Sequence, residues 1–136
     1  MRIAMSHDNE AVNIVSDFLA ASMVPDPEKA ATFLADGVQI TFTGGRLMPD
    51  AQAITMFNKA RYAWVKKAFG HFDWMERDDH TIVYSNGTLY GEWPDGRSFS
   101  GNRYLDRFEV RGKKITRMDV WNDSAEWILD PAINRD

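Results

Sequence analysis

The sequence predicts an α+β fold in which three N-terminal helices pack on a strongly curved, mixed or antiparallel β-sheet. Two observations support this prediction. Apolar residues recur mostly at helical spacing in the first half of the chain, whereas a period of two begins at His71. The stretch from Asp95 to Asp123 contains two long strand patterns joined by a turn at Arg111-Gly112-Lys113. Helices followed by a long meander indicate a sheet that curls around an internal pocket.

Composition limits the class of protein. A length of 136 residues fits a single domain, residues 1–136, and a hydrophobic share of 44% is enough for a full core. The net charge of −4 and the lack of a basic face argue against nucleic acid as a partner. Without cysteine there is no disulfide, thiol nucleophile or cysteine-ligated zinc site. No window approaches the roughly 18 apolar residues of a membrane helix, so we expect a soluble, cytoplasmic protein without a membrane partner.

Three helices are predicted before the meander. The first runs from about Asp8 to Met23, and its apolar stripe consists of Val12, Val15, Phe18 and Leu19. Asp26 is a suitable N-cap for a short second helix. The third is predicted from about Ala51 to Phe69 and is closed by Gly70. Its stripe consists of Ile54, Phe57, Arg61, Trp64 and Ala68.

Four longer strands are predicted, namely Val38–Thr43, Thr81–Trp93, Ser98–Val110 and Lys114–Asp123. Asp78-Asp79 and Pro94-Asp95-Gly96 are the turns that flank the second of them. Within that strand, Asn86-Gly87 is a strong hairpin signal, which would split it in two. Glycine also permits a bulge or bend inside a single strand. Local chemistry alone favours the hairpin.

Four short segments carry a resemblance to a known family. They are Ala35-Asp36-Gly37, Asp95-Gly96, the turn from Gly112 to Ile115, and Trp121-Asn122-Asp123. With the three opening helices, they resemble the nuclear transport factor 2-like (NTF2-like) superfamily, which includes SnoaL-like polyketide cyclases, ketosteroid isomerase and limonene epoxide hydrolase. The resemblance implies a cone with an internal pocket and one bent strand at Asn86-Gly87. The resemblance implies a fold and no single activity, because the superfamily hosts unrelated chemistries.

The positions at which such relatives place catalytic groups are mostly apolar in this chain. Ketosteroid isomerases use positions that match Phe18, Phe42 and about Tyr104, and neither phenylalanine can move a proton. The epoxide hydrolases and several cyclase-like members have an acid where this chain has Val120. The neighbouring Asp119 points to the other face of its strand. The resemblance therefore implies no family-standard acid or base.

Asp106 is the candidate acid or base of this chain. Alternate residues of a strand share one face, and on this strand that face consists of Tyr104, Asp106, Phe108 and Val110. An acid among apolar neighbours has a raised pKa unless it is paired, and a raised pKa suits general acid/base catalysis. Alternatively, Asp106 pairs with a buried arginine or caps backbone amides. Arg61 is the natural partner and could also bind an anion, unless its charged head reaches water.

Further side chains are expected at the pocket, in two groups. Those that could donate hydrogen bonds to a carbonyl or hydroxyl of a ligand are Tyr90, Tyr104 and Asn122. Those that provide apolar wall or core are Phe18, Phe42, Trp64, Met118 and Val120. The resemblance implies the inward orientation of the residues on the last strand. It also implies a homodimer through the outer sheet face, where Trp121 lies among charged residues.

The predicted function is an enzyme that uses neither a cofactor nor a metal. No phosphate loop, nucleophile elbow or zinc-binding histidine pattern occurs, and His7, His71 and His80 are isolated. The expected ligand is small and largely apolar, polyketide- or steroid-like, and the expected reaction is an acid/base isomerisation, cyclisation or hydration. The alternative is a non-catalytic module that binds a hydrophobic ligand or serves as a dimeric interaction domain.

Overall fold

The computed structural model describes residues 9–130, so His7 and the predicted helix start at Asp8 lie outside the described residues. The helices are α1 (Glu10–Met23), α2 (Pro27–Ala31), α3 (Ala51–Arg61) and α4 (Ser124–Leu129). The strands are β1 (Leu34–Phe42), β2 (Arg46–Met48), β3 (Trp64–Glu76), β4 (Thr81–Glu92), β5 (Ser98–Arg111) and β6 (Lys114–Asn122). The helix α4 and the short strand β2 were not predicted.

The strands form one six-stranded sheet in the order β2-β1-β6-β5-β4-β3. The pairing of β1 with β6 is parallel and the other pairings are antiparallel, so the sheet is mixed. The edge strands β2 and β3 do not pair with each other, which leaves the curled sheet unclosed. The predicted α+β class, with helices packed on a curved mixed sheet, is confirmed.

The first three helices begin at polar caps. The side chains of Asn9, Asp26 and Asp50 each accept a hydrogen bond from the backbone N–H three residues ahead, at 3.1, 3.1 and 2.9 Å. Such caps satisfy backbone donors that have no partner inside the helix. They fix where the chain enters α1, α2 and α3, and so position the helices over the sheet.

The prediction that α3 reaches Phe69 is wrong, because the helix ends at Arg61 and residues 64–76 form strand β3. This strand pairs with β4 from Trp64↔Glu92 to Glu76↔Thr81. Aromatic and β-branched residues such as Trp64 and Val65 suit a strand, and the ladder with β4 outweighs the helical spacing of this stretch. Gly70 closes no helix and lies at the shift of register between Phe69 and Phe72.

Strand β4 runs unbroken through Asn86-Gly87, so the bent strand implied by the resemblance is correct and the hairpin signal is wrong. The reason is the close approach of β3. A Cβ atom on Gly87 would lie 2.2 Å from the carbonyl oxygen of Ala68, a distance that no side chain tolerates. On the opposite strand, the backbone N–H of His71 donates to Oδ1 of Asn86 at 3.0 Å. The two residues are thus used for close strand packing.

The alternation predicted for β5 is confirmed, since Tyr104, Asp106, Phe108 and Val110 are all buried. Phe108 packs against Phe18 of α1, with ring centroids 6.0 Å apart. Ile115 of β6 is also in this core, because the register shifts between Glu109 and Val110 of β5. One face of the sheet therefore carries the core under α1, and Asp106 lies on that face.

Candidate functional site

The site is built around a buried ion pair. The carboxyl group of Asp106 is 0% exposed, and its Oδ2 lies 3.0 Å from Nζ of Lys67 on β3. The same Nζ lies 3.8 Å from the ring centroid of Tyr104, at the distance of a cation–π contact. Within the described residues, Oδ1 of Asp106 has no hydrogen-bond partner. One oxygen of the carboxyl group is held, and the other remains able to accept or share a proton.

Burial controls the acid–base behaviour of this cluster. It raises the pKa of Asp106, and the nearby charge and hydrogen bond of Lys67 oppose that rise only in part. The pKa of Tyr104 is raised as well, chiefly by burial, while its hydrogen bond to Ser85 lowers it and the charge of Asp106 raises it. The hydroxyl of Tyr104 lies 3.0 Å from Oγ of Ser85. Tyr104 is therefore a neutral neighbour of the pair, and Asp106 is the group poised to exchange a proton.

Asp106 lines a cavity of about 70 Å³, which we call the inner compartment. Predicted pocket residues that also line it are Phe42, Met118, Val120 and Asn122. They come from β1 and β6, whose parallel pairing aligns Ile40 with Met118. Lys67 and Leu89 close the opposite side from β3 and β4. The walls are mostly apolar, with a few placed polar groups, as is usual for ligand pockets.

A second cavity of about 190 Å³, the outer compartment, lies between the helices and the start of β3. Phe18 lines it from α1, and Trp64 lines it at a rim position that is 46% exposed. Both compartments include Met23, Asn58, Tyr62 and Lys66 among their walls. The two compartments are thus neighbours that share one wall.

Tyr62 connects this wall to a buried polar network. Its hydroxyl lies 2.6 Å from Oγ of Ser124, which also accepts from Nδ2 of Asn102 at 2.9 Å. The backbone N–H of Ser124 donates to Oδ1 of Asn122 at 3.1 Å, so the start of α4 holds Asn122 at the inner compartment. Burial raises the pKa of Tyr62. The inner compartment therefore has polar groups at Tyr62 and Asn122 in addition to the ion pair.

Three residues predicted for the pocket lie elsewhere or act differently. Arg61 lines neither compartment, and its guanidinium lies 4.8 Å from the ring centroid of Phe57. The partner of Asp106 is Lys67 instead. Tyr90 is 41% exposed and packs edge-on against Trp64, with centroids 6.0 Å apart. It contributes to neither cavity. Tyr104 reaches the inner compartment only through its contact with Lys67.

The two functional side chains that sequence reasoning missed are Lys67 and Tyr62. Both were hidden by the overextended third helix. Lys67 lies opposite the buried Leu89 in the pairing of β3 with β4. A prediction of this stretch as a strand paired with β4 would therefore have placed Lys67 on the inner face.

The described residues offer no metal centre. No group of three or more histidine, aspartate or glutamate side chains within residues 9–130 could hold an ion. His71 is exposed at the bulge of β3, and Nδ1 of His80 lies 2.7 Å from Asp79. Neither histidine lines the inner or the outer compartment. In the same part of the chain, no helix is long and apolar enough to cross a membrane.

Comparison with known proteins supports the fold through structure alone. No family model matches the chain, and no curated protein sequence matches it. An NTF2-like protein of unknown function from Burkholderia pseudomallei is similar, with a TM-score of 0.73 and 17% identity over 89% of this chain and 96% of that one. A candidate ketosteroid isomerase from Shewanella frigidimarina has a TM-score of 0.67 and 20% identity over 83% and 95% of the two chains.

A candidate polyketide cyclase from Xanthomonas campestris has a TM-score of 0.64 and 16% identity over 88% of this chain and 95% of that one. These structures share the fold of this chain over 83–89% of its length. At such identities the likeness concerns the fold and not the activity. The chain has the fold of the NTF2-like superfamily.

Proposed function

We propose that the protein is a small-molecule enzyme that uses Asp106 as its acid or base, without a cofactor. The observation that carries this proposal is the state of the Asp106 carboxyl group. It is fully buried at the wall of the inner compartment, bound on one oxygen by Lys67 and free of described partners on the other. Its raised pKa brings proton exchange closer to neutral pH, where a general acid or base is effective.

The neighbouring groups suit a reaction that passes through an anion. If Asp106 removes a proton from a carbon next to a carbonyl, the electron pair moves onto the carbonyl oxygen. The ammonium of Lys67 can stabilise that oxygen, and Tyr62 or Asn122 can donate a hydrogen bond to it. Return of the proton at another atom gives an isomerisation. Attack of the carbanion on a second carbonyl of the same molecule gives a cyclisation, and Asp106 then returns its proton to the new alkoxide. In a hydration, Asp106 would take a proton from water as the oxygen adds to a conjugated double bond, and would return that proton to the neighbouring carbon.

A direct test uses a probe reaction that needs only a base. Exchange of the α-hydrogens of cyclohexanone in deuterium oxide, followed by NMR, requires removal of one proton and return of one deuteron. We expect the protein to accelerate it, and Asp106→Asn to lower the accelerated rate at least about 100-fold, as for loss of a general base. The matched control is Asp119→Asn, which removes a carboxylate of the opposite face that is paired with Arg117.

The same experiment decides against the proposal if the protein gives no acceleration, or if Asp106→Asn exchanges as fast as the wild type. A binding module without chemistry is then the better assignment. One observation already favours that second function: Phe42 and Val120, at positions where the resemblance implies catalytic acids or bases, are apolar walls of the inner compartment. Tight retention of an unchanged apolar molecule would support it.

We further propose that two copies pair through the outer sheet face, in the cytoplasm. Trp121 on that face is 52% exposed and lies opposite Leu105 of β5, which is also exposed. An exposed aromatic beside an apolar neighbour and charged residues is typical of a protein interface. Arg103 and Asp123, which form an ion pair at 2.6 Å, border this pair of apolar residues.

A further inference from the structure

We propose that the ligand of the two compartments is a small carboxylate, with an apolar body about the size of one six-membered ring. The inference rests on the proposed function for the site, and it names the class of molecule that the site takes. Three features of the cavity carry it: the volumes of the compartments, the balance of charge along their walls and the hydrogen-bonding capacity of Lys66.

Volume limits the body of the ligand. The outer compartment measures about 190 Å³ and the inner about 70 Å³. An apolar cavity of about 150 Å³ accommodates benzene. The outer compartment therefore takes one ring with a short substituent, and the inner compartment takes a few further atoms. The polyketide- or steroid-like ligand that the resemblance implies has several fused rings, which exceeds this space.

Charge selects the sign of the ligand. The described walls of the two compartments include Lys59, Lys66 and Lys67, and among those described residues Asp106 is the one carboxylate. The carboxylate of Asp106 is matched by Lys67. Lys59 and Lys66 form no ion pair with any residue from 9 to 130. A chain with a net charge of −4 thus places at its cavity two cations that lack an ion-pair partner in the described part of the chain, and a positive, low-dielectric cleft attracts an anion.

Lys66 has the hydrogen-bonding capacity that the anion needs. Its Nζ donates to the carbonyl oxygen of Met23, at the end of α1, and this bond uses one of its three protons. The remaining protons can bind a carboxylate between the compartments, since Lys66 lines both. Lys59, in the last turn of α3, lines the outer compartment alone and is exposed, so its charge adds a weaker, more solvated attraction for the same anion. The body of the ligand then fills the outer compartment. The ion pair of Lys67 and Asp106 has no net charge, so it does not repel the carboxylate of the ligand.

Titration calorimetry with two isosteric probes tests the inference. Phenylacetate and phenylacetamide have the same shape, and only the first is charged. We expect phenylacetate to bind at least about tenfold more tightly, as for hydrogen bonds to a charged group. Lys66→Met should remove about that factor, and Lys59→Met about two- to fivefold because Lys59 is exposed. Lys113→Met, which removes an equal charge from the exposed β5–β6 turn, should leave the affinity unchanged.

Equal affinities for acid and amide overturn the inference, and so does a preference for phenylacetate that survives both Lys66→Met and Lys59→Met. If Lys66→Met does not fold, the affinity of Lys59→Met for phenylacetate, compared with that of Lys113→Met, decides the question. Calorimetry needs no turnover, so the two proposals fail separately. Selective binding of phenylacetate without exchange of cyclohexanone contradicts the proposed function alone. Exchange that depends on Asp106, without selective binding, contradicts the carboxylate inference alone.

Discussion

Removal of the Lys67 ammonium should destabilise the fold, because it leaves the buried carboxyl group of Asp106 without its partner. The two charged atoms are 3.0 Å apart, and the side chains are 17% and 0% exposed. At an effective dielectric constant of about 20, their attraction is about 5.5 kcal/mol, which offsets the desolvation of the two charges. Lys67→Met cancels this attraction while the desolvation of Asp106 remains.

The loss of stability has a ceiling, because the carboxyl group can take up a proton instead. Protonation of an aspartate with the ordinary pKa of 3.8 costs about 1.4 kcal/mol per pH unit, or about 4 kcal/mol at pH 7. Burial already raises the pKa of Asp106, so part of this cost is present in the wild type. We therefore expect Lys67→Met to lower the free energy of unfolding by about 2–3 kcal/mol at pH 7.

The dependence on pH identifies the cause of this loss. In the variant the folded-state pKa of Asp106 rises further, while the unfolded state keeps the ordinary value. Between these two values the folded state binds more protons than the unfolded state, so stability falls as the pH rises. The deficit of Lys67→Met relative to the wild type should thus be smallest near pH 4 and largest near pH 7.

Urea unfolding at a series of pH values, with linear extrapolation, measures this difference. The control is Lys66→Met, which removes the adjacent charge. The ammonium of Lys66 binds a backbone carbonyl and not a carboxylate, so the loss of stability in this variant should not vary with pH in this way. The double variant Lys67→Met/Asp106→Leu should recover most of the stability, since an apolar pair can replace a buried ion pair. A deficit below about 0.5 kcal/mol, or one that is constant with pH, would mean that Lys67 does not stabilise a buried, ionised Asp106.

Three further outcomes are expected. Tyr104→Phe should lower the free energy of unfolding by about 1 kcal/mol in urea, through loss of the buried hydrogen bond to Ser85; no loss would mean that this bond is absent. Gly87→Ala should lower the melting temperature by about 10 °C or more, or prevent folding, since its Cβ would lie 2.2 Å from the carbonyl oxygen of Ala68; an unchanged melting temperature contradicts the close packing. Trp121→Lys should weaken the proposed dimer by about 2 kcal/mol or more, measured by light scattering after gel filtration; an unchanged dimer places the interface elsewhere.

The fold was predictable in segments where a single sequence pattern determines the local structure. The alternation of Tyr104, Asp106 and Phe108 assigned their shared face correctly, because a strand has a strict period of two. At Asn86-Gly87, local turn preference and tertiary packing favour different structures. Its hairpin signal is local, whereas the close approach of Ala68 is a tertiary contact between distant segments. The resemblance to a known fold implied in advance that the strand stays unbroken, but it did not identify the contact with Ala68.

The end of α3 was not predictable from spacing. The stripe through Phe57, Arg61, Trp64 and Ala68 continues at helical intervals past the true end of the helix. Pairing with β4 converts the second half of that stripe into an edge strand, because the ladder satisfies its backbone groups and places Lys67 on the inner side. One boundary error therefore hid the partner of Asp106, and it made Arg61 seem the natural choice.

The candidate site was predicted in part. Asp106 was identified because its neighbours on the strand are apolar, a feature visible in the sequence. Phe42, Met118, Val120 and Asn122 also line the inner compartment. The polar network of Tyr62, by contrast, depends on α4, and no pattern in the sequence indicated that helix.

The proposed role of Asp106 depends on its protonation in the folded protein, which a titration of this residue measures. The carboxyl carbon signal of this residue can be followed by ¹³C NMR as the pH is raised, with Asp106→Asn to assign it. We expect a midpoint above the ordinary aspartate pKa of 3.8, because burial outweighs the attraction of Lys67. A midpoint at or below that value would mean that Asp106 is an ordinary ionised carboxylate, and it would contradict its role as the acid or base of the cavity.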